Sequence, residues 1–466
     1  MSGRSAQPKV AVIGGGFSGL MTTLSLLQHA GGPRVRLIER RAPFACGAAY
    51  STTFKDHLLN VRAANMSAYP DQPDHFIRWL AETGVSAPAK AFVPRSRYGA
   101  YLQAMLAQAT VGAAAGRLLL EADAVVGVRR RAGRWRLTYA MGRTVDVDAV
   151  VLAIGNFPPH PPMGLEDQAA ASDAYAADPW SADFSRAPDK GLAVLIGSGL
   201  TMVDVALRLA ADRPDLNLLA ISRRGLLPHR HLDSGPALLD WDPGDAPSVR
   251  QVLRRMRTLA ETSDWRSVVD GLRPRVHRIW RDWPDEERAR FLRHARPWWD
   301  IHRHRLAPAV AARIDDLTTS GALQVIAGRI GRITSQGHRI GLDWRAKGEA
   351  ATRNLTADLV VNCTGPTGQL ARSKDALVAD LARQKLIRAD RQDLGLDVDG
   401  AGRLISVNGE ASATLYSIGP VTRGAFWEVT AVPDIRLQAA ALARHLCDQL
   451  REQLDRSDSQ PAFKEA

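Results

Sequence analysis

The feature that most constrains this chain is the run Lys9-Val10-Ala11-Val12-Ile13 ending directly in Gly14-Gly15-Gly16-Phe17-Ser18-Gly19. Such a short apolar, β-branched run predicts a buried strand. Leu20, Leu24 and Leu27 then recur at helical spacing, and Val35-Arg36-Leu37-Ile38, closed by Glu39, reads as a second strand. Strand, glycine turn, helix, strand and acid, in that order, are what a dinucleotide-binding βαβ unit needs. Gly14 permits the tight turn, Gly16 lets the backbone approach a pyrophosphate, and Gly19 lets helix and strand pack closely. The helix N-terminus offers N–H groups to phosphates, and Glu39 can accept hydrogen bonds from an adenosine ribose. The candidate cofactor residues of this unit are Gly14, Gly16, Phe17, Ser18, Gly19, Glu39 and Arg40.

A second glycine turn follows later. Gly191 to Ile196 predicts another buried strand, ending in Gly197-Ser198-Gly199-Leu200-Thr201-Met202, with a helix from Val203 to Leu209 and a strand from Leu216 to Ile221. Met202 replaces the third glycine, so the fingerprint is incomplete. Ser222-Arg223-Arg224 stands where the first unit has Glu39. An acid there suits a free ribose hydroxyl, whereas paired arginines suit a 2′-phosphate, which favours NADPH over NADH. Gly197, Ser198, Gly199, Leu200, Thr201, Arg223 and Arg224 are the candidates.

Between the two turns, Arg117 to Val128, Trp135 to Ala140 and Thr144 to Val147 read as a β-meander, followed by a buried strand from Asp148 that ends at Gly155. After the second turn, Leu355 to Asn362 predicts a strand running into Cys363-Thr364-Gly365. The stretch Thr414 to Pro420, with Gly419, leads past Trp427 into a last helix over about Pro433 to Leu450. Gly155, Gly365, Gly419 and Trp427 join the candidate cofactor set. This layout resembles two-dinucleotide flavoproteins, which makes FAD the first cofactor. The expected fold class is α/β, with two Rossmann-like dinucleotide-binding domains and a helical cap insertion. The FAD domain would occupy 1–185 and resume at 351–466. The NAD(P) domain would span 186–350, with the insertion at about 236–310.

Composition narrows the partners. Sixty-one Lys and Arg against 49 Asp and Glu leave a net charge of +12, which raises nucleic acid as a ligand. The basic run Arg129-Arg130-Arg131 lies on the meander, and the arginine-rich insertion alternates with Asp282, Asp285, Glu286 and Glu287, so nucleic acid is not the expected partner. Neither is a membrane, since the apolar stretch from Val10 to Leu27 is interrupted by four glycines and two threonines. Cys46, Cys363 and Cys447 are too few and too scattered for a disulfide framework, which points to a reducing cytoplasm. They contain no Cys-x-x-Cys, which excludes a dithiol reductase, and no metal-ligand spacing.

Further stretches resemble one flavoprotein family along nearly the whole chain. They are Gly47-Ala48-Ala49-Tyr50-Ser51, His57-Leu58-Leu59-Asn60-Val61, Asp71-Gln72-Pro73-Asp74-His75-Phe76, Phe92-Val93-Pro94-Arg95, Trp298-Trp299-Asp300-Ile301-His302-Arg303-His304-Arg305 and Trp427-Glu428-Val429-Thr430-Ala431-Val432-Pro433. The family contains FAD-dependent urate hydroxylases and aspartate N-monooxygenases. The resemblance implies FAD, a reduced nicotinamide and dioxygen acting on a small molecule.

Catalytic candidates are Asn60, in the excursion where a flavin ring is expected, and Trp299, His302 and Arg303 in the insertion. Asn60 either bonds the flavin edge or forms a turn. Trp265, Trp280, Trp283, Trp298 and Trp299 either line a lid over a planar anion or form the core of a helical cap. The functional expectation is an NADPH-oxidising monooxygenase, with urate as the specific substrate. The alternatives are an N-hydroxylase of an amine or amino acid, and a flavin-containing redox sensor without oxygen insertion. Nothing in the sequence indicates an oligomeric state.

Overall fold

The structure is a computed structural model and describes residues 7–112, 115–233, 235–239 and 248–459. The chain divides into two compact units, one of residues 1–53, 62–156 and 368–466 and the other of residues 54–61 and 157–367. The sequence had suggested divisions near 185/186 and 350/351.

In the first unit, β1 (Lys9–Ile13) lies in a parallel sheet between β2 (Arg34–Glu39) and β7 (Ala149–Leu152). The strand Ala411–Ser417 adds beside β7, and Arg403–Ile405 closes that edge antiparallel. Val10, Ala11 and Val12 are fully buried, as are all four residues of β7. Continuous apolar runs of this kind are what a sheet covered on both faces requires. The helix Phe17–Gln28 is buried nearly all round and packs against the long helix Val432–Ser459. The span expected as one strand from Arg117 splits in two. β3 (Leu118–Ala122) joins the main sheet beside β2, while β4 (Val125–Arg131), β5 (Arg134–Tyr139) and β6 (Thr144–Val147) form a separate antiparallel meander. At the break the Asp123 carboxylate accepts from the Ala124 N–H at 2.8 Å.

The second unit repeats this plan in one sheet, ordered β13-β12-β11-β10-β9-β14-β8. Its strands are β8 (Tyr175–Ala176), β9 (Lys190–Ile196), β10 (Asp215–Ser222), β11 (Leu323–Gln336), β12 (Arg339–Ala346), β13 (Arg353–Ala357) and β14 (Leu359–Asn362). β11 runs parallel to β10 as far as Ala327, then pairs antiparallel with β12. Val194, Ile196, Ile221, Ile333, Ile340, Trp344 and Val360 form its core. The expected strand Leu355–Asn362 is interrupted at Asp358. That residue's role has a counterpart in the first unit: Asp148 accepts from Lys9 N at 2.7 Å and pairs with Arg134 of the meander, while Asp358 accepts from Leu192 N at 2.8 Å and pairs with Arg339.

The insertion is mostly helical from Val249 onward, and residues 234 and 240–247 lie outside the described residues. Helices Val249–Ala260, Trp265–Leu272, Val276–Asp282 and Asp285–Arg290 lead through a π-turn, Phe291–Ala295, into Arg296–Arg303. Trp280 and Trp283 are core residues here, whereas Trp298 is half exposed. The tryptophans therefore do not form one lining.

Candidate functional site

The first glycine turn sits at the C-terminal end of β1. Gly14 has φ +106°, and a side chain there would strike the Ala153 carbonyl at the end of β7. Only glycine meets both conditions. A side chain at Gly19 would overlap the Gly14 carbonyl, so helix and strand touch backbone to backbone. Gly16 precedes the helix without any side-chain cap. The N–H groups of that first turn have no intrahelical acceptor. The mouth of the turn is bare backbone, because Gly16 faces the Gly47 Cα and nothing lies within 4 Å of where a Gly155 side chain would point. A pyrophosphate fits such a cradle.

Glu39 closes β2 beside it. One of its carboxylate oxygens accepts from Gly15 N at 2.7 Å and the other from Arg41 N at 3.0 Å. Each oxygen keeps a lone pair for a hydroxyl donor. Arg40 instead pairs with Asp375 at 2.7 Å. Phe17 is buried against Tyr50 and Tyr98, with ring centroids 6.3 Å and 6.2 Å away. Gly419 has φ +81° and packs onto the buried Ser18, and its N–H reaches Gln438 at 2.9 Å. Trp427 is buried.

The second turn has the same construction. Gly197, at φ +118°, lies against the Cys363 carbonyl at the end of β14, and Gly199 precedes the helix Leu200–Asp212 with no side-chain cap. Thr201 is half-buried in the first turn of that helix, and Met202, which replaces the third glycine, is fully buried. Open space surrounds Gly199 and Gly365. The Ser198 side chain is engaged within the protein. Its hydroxyl lies 2.8 Å from that of Ser222 and 2.6 Å from the Leu226 carbonyl, so it ties the turn to the end of β10. Arg223 and Arg224 follow directly and line a cavity of about 710 Å³ together with Arg293, Arg329, Arg345 and Lys347. Sequence reasoning missed the last four, which belong to no local motif.

The catalytic candidates fall in the second unit. His302 and Arg303 end the helix Arg296–Arg303. The His302 ring stands edge-on to Trp265 and His229, at 4.6 Å and 4.7 Å, and its Nδ1 is 2.7 Å from the Trp298 carbonyl. Burial, with the neighbouring His302 and Arg266, holds His229 below the usual imidazole range. Trp299 packs toward Phe291, and Arg303 is half-buried. Asn60 is tied into the same region through its carbonyl, 3.0 Å from His231 Nε2. The segment from His229 to His231 thus links Asn60 to the insertion. Among the described residues there is no cluster of metal-ligating side chains, and no helix is long and apolar enough to cross a membrane.

Residues 11–157 match the family model described as FAD-NAD(P)-binding. No curated protein matches the amino-acid sequence. Among solved structures, the chain is similar to the ornithine N-hydroxylase of Kutzneria sp. 744, at 14% identity and TM-score 0.65, over 96% of this chain and 100% of that one. The ornithine hydroxylase of Pseudomonas aeruginosa superimposes over the same shares, at 15% identity and TM-score 0.66. The FAD-bound cadaverine monooxygenase of Erwinia amylovora does so over 95% of each chain, at 13% identity and TM-score 0.66. The chain therefore has the α/β fold of these flavoproteins, with an FAD-NAD(P)-binding module in its first third.

Proposed function

We propose that this protein is an FAD-dependent, NADPH-oxidising monooxygenase that hydroxylates the nitrogen of a small amine or amino acid. The observation that carries the reading is the pair of uncapped glycine turns with opposite chemistry after them: Glu39 beside the first, Arg223 and Arg224 beside the second. The first turn would hold FAD through backbone N–H groups at Gly16 to Ser18 and the ribose through Glu39. The second would hold NADPH, with arginine forks on its 2′-phosphate. Bound flavin would take reducing equivalents from the nicotinamide and deliver them to dioxygen. The protein's own part is to bind and orient these groups. Trp299, His302 and Arg303 remain the proposed substrate-side residues, with His229 and Trp265 fixing the His302 ring, and Asn60 is the proposed flavin-edge residue.

Nitrogen takes precedence over urate because ornithine and cadaverine enzymes are among the solved proteins that share the fold. Thiol–disulfide reductases share the fold more distantly, but the required dithiol is absent from this sequence. The test is to purify the protein, record its flavin spectrum, and follow NADPH and oxygen consumption with L-ornithine, L-lysine, cadaverine and urate. The expected result is an amine-dependent rate and a product one oxygen heavier. Turnover with urate alone would overturn the nitrogen assignment. A yellow protein whose NADPH oxidation stays silent with every substrate on the panel would leave the redox-sensor reading instead.

A further inference from the structure

The cavity beside Arg223 and Arg224 is more basic than one phosphate requires. Six cations surround it, namely Arg223, Arg224, Arg293, Arg329, Arg345 and Lys347. The lone carboxylate there, Glu349, is already paired with Arg353 at 2.8 Å. None of the six side chains has an ion-pair partner among the described residues. Elsewhere in this unit, by contrast, Arg230, Arg332 and Arg339 pair with Asp315, Glu166 and Asp358.

The ladder geometry adds a second, independent observation. Arg329 of β11 and Arg345 of β12 are direct cross-strand partners. Like charges in that position destabilise a sheet. The strands place this pair beside the arginine loop: Ser222 is in register with Ala327, and Lys347 N donates to the Ala327 carbonyl at 2.9 Å. Gly225, at φ +62°, brings the loop down onto the Ala327 backbone. The Ser198–Ser222 contact and the Gly225 N–H to the Ser222 hydroxyl at 3.0 Å fix that descent. An opposed cationic pair left without a counter-ion has the charge and placement of an anion site.

We infer that Arg329, Arg345 and Lys347 form the second wall of an adenosine 2′-phosphate site and set the discrimination between NADPH and NADH. This rests on the reading of Arg223 and Arg224 as nucleotide-facing. A phosphomonoester carries a charge of about −1.5 to −2 at neutral pH. The loop arginines grip it from one side and the sheet cations relieve their own repulsion by gripping it from the other.

The test is calorimetric titration of the full-length protein with adenosine 2′,5′-bisphosphate and with 5′-AMP, alongside thermal melts. The triple variant Arg329→Gln, Arg345→Gln, Lys347→Gln should bind the bisphosphate at least about tenfold more weakly, by loss of charge-assisted contacts. Its affinity for 5′-AMP should stay within about twofold, and its ligand-free melting temperature should not fall, because the opposed charges are gone. Arg345→Gln alone provides the same comparison if the triple variant does not fold. Wild-type bisphosphate affinity in the triple variant, with loss in Arg223→Gln/Arg224→Gln, would overturn the inference and leave the underlying reading standing. Unchanged affinity in both variants would overturn both.

Discussion

Two glycines at different positions of the two glycine turns have different jobs, and substitution separates them. Gly197 is held at φ +118° against the Cys363 carbonyl. Gly197→Ala should therefore destabilise the protein by about 1–3 kcal/mol, read from denaturant melts. Gly16 has φ −74°, and the nearest atom to an added Cβ is the Gly47 Cα at 3.4 Å. Gly16→Ala should leave the ligand-free melt within about 0.5 kcal/mol of wild type yet weaken FAD binding about tenfold or more, because the methyl group occupies the approach to the pyrophosphate. A Gly16→Ala protein purified fully loaded with flavin would contradict this role. His75 supplies a pH signature. Its Nδ1 lies 2.7 Å from the Tyr101 hydroxyl, and burial, with Arg78 nearby, depresses it below 6.5. The folded state thus prefers neutral imidazole. That stabilisation is complete above the ordinary value and is lost as pH falls through the depressed one. His75→Gln should flatten the stability profile on the acid side of pH 6.5 in melts across that range. The glycines were legible in the sequence because a turn is a local demand on the backbone. The tie of Ser198 to Ser222 and Leu226 was not, since a serine in a glycine turn looks the same whether it faces phosphate or the neighbouring strand.

Among elements, β3 pairs with β2 along its length and is tied further by one carboxylate. Glu121 accepts from Arg36 at 2.8 Å, from Arg143 at 3.0 Å and from the Tyr139 hydroxyl, so it joins β2, β3 and the meander. Burial alone would raise its pKa, but the Tyr139 and Arg143 hydrogen bonds and the Arg36 charge outweigh that and hold it below the usual 4.5. Its contribution is present above that value and disappears as pH falls through the depressed one. Glu121→Gln should cost about 1–3 kcal/mol in urea melts at neutral pH, below the range for a fully buried pair because both arginines remain partly hydrated. The variant should also lose the acid-side decline. The same region shows why strand limits were harder to read than strand presence. Apolar residues at Leu118 to Leu120 and at Val125, Val126 and Val128 flank Glu121-Ala122-Asp123-Ala124, and within that short interval the chain passes from the main sheet to the meander. Asp358 interrupts the later strand with as little warning, although both strands around it are buried where the sequence was apolar.

For the whole molecule, six of the 61 Lys and Arg residues behind the charge of +12 surround one cavity. These six cations, without ion-pair partners among the described residues, should attract a dinucleotide with a 2′-phosphate more strongly than one without. Raising ionic strength from about 0.05 to 0.5 M should therefore raise the KM for NADPH several-fold more than that for NADH in steady-state assays. Equal salt dependence would argue against charge as the selector. Sequence patterns located both dinucleotide turns and the fold class, because each βαβ unit is contiguous. They could not locate this cavity, whose walls come from the end of β10, the insertion and the β11–β12 ladder.

The division of the chain also has a consequence in time. The second unit ends at residue 367, whereas the first still needs residues 368–466, including the strand Ala411–Ser417 and the helix Val432–Ser459. At about 5–20 residues per second, those ninety-nine residues take about 5–20 s to emerge from a ribosome. The part made first is therefore the part finished last, and during that interval β7 has an open edge where Ala411–Ser417 will pair.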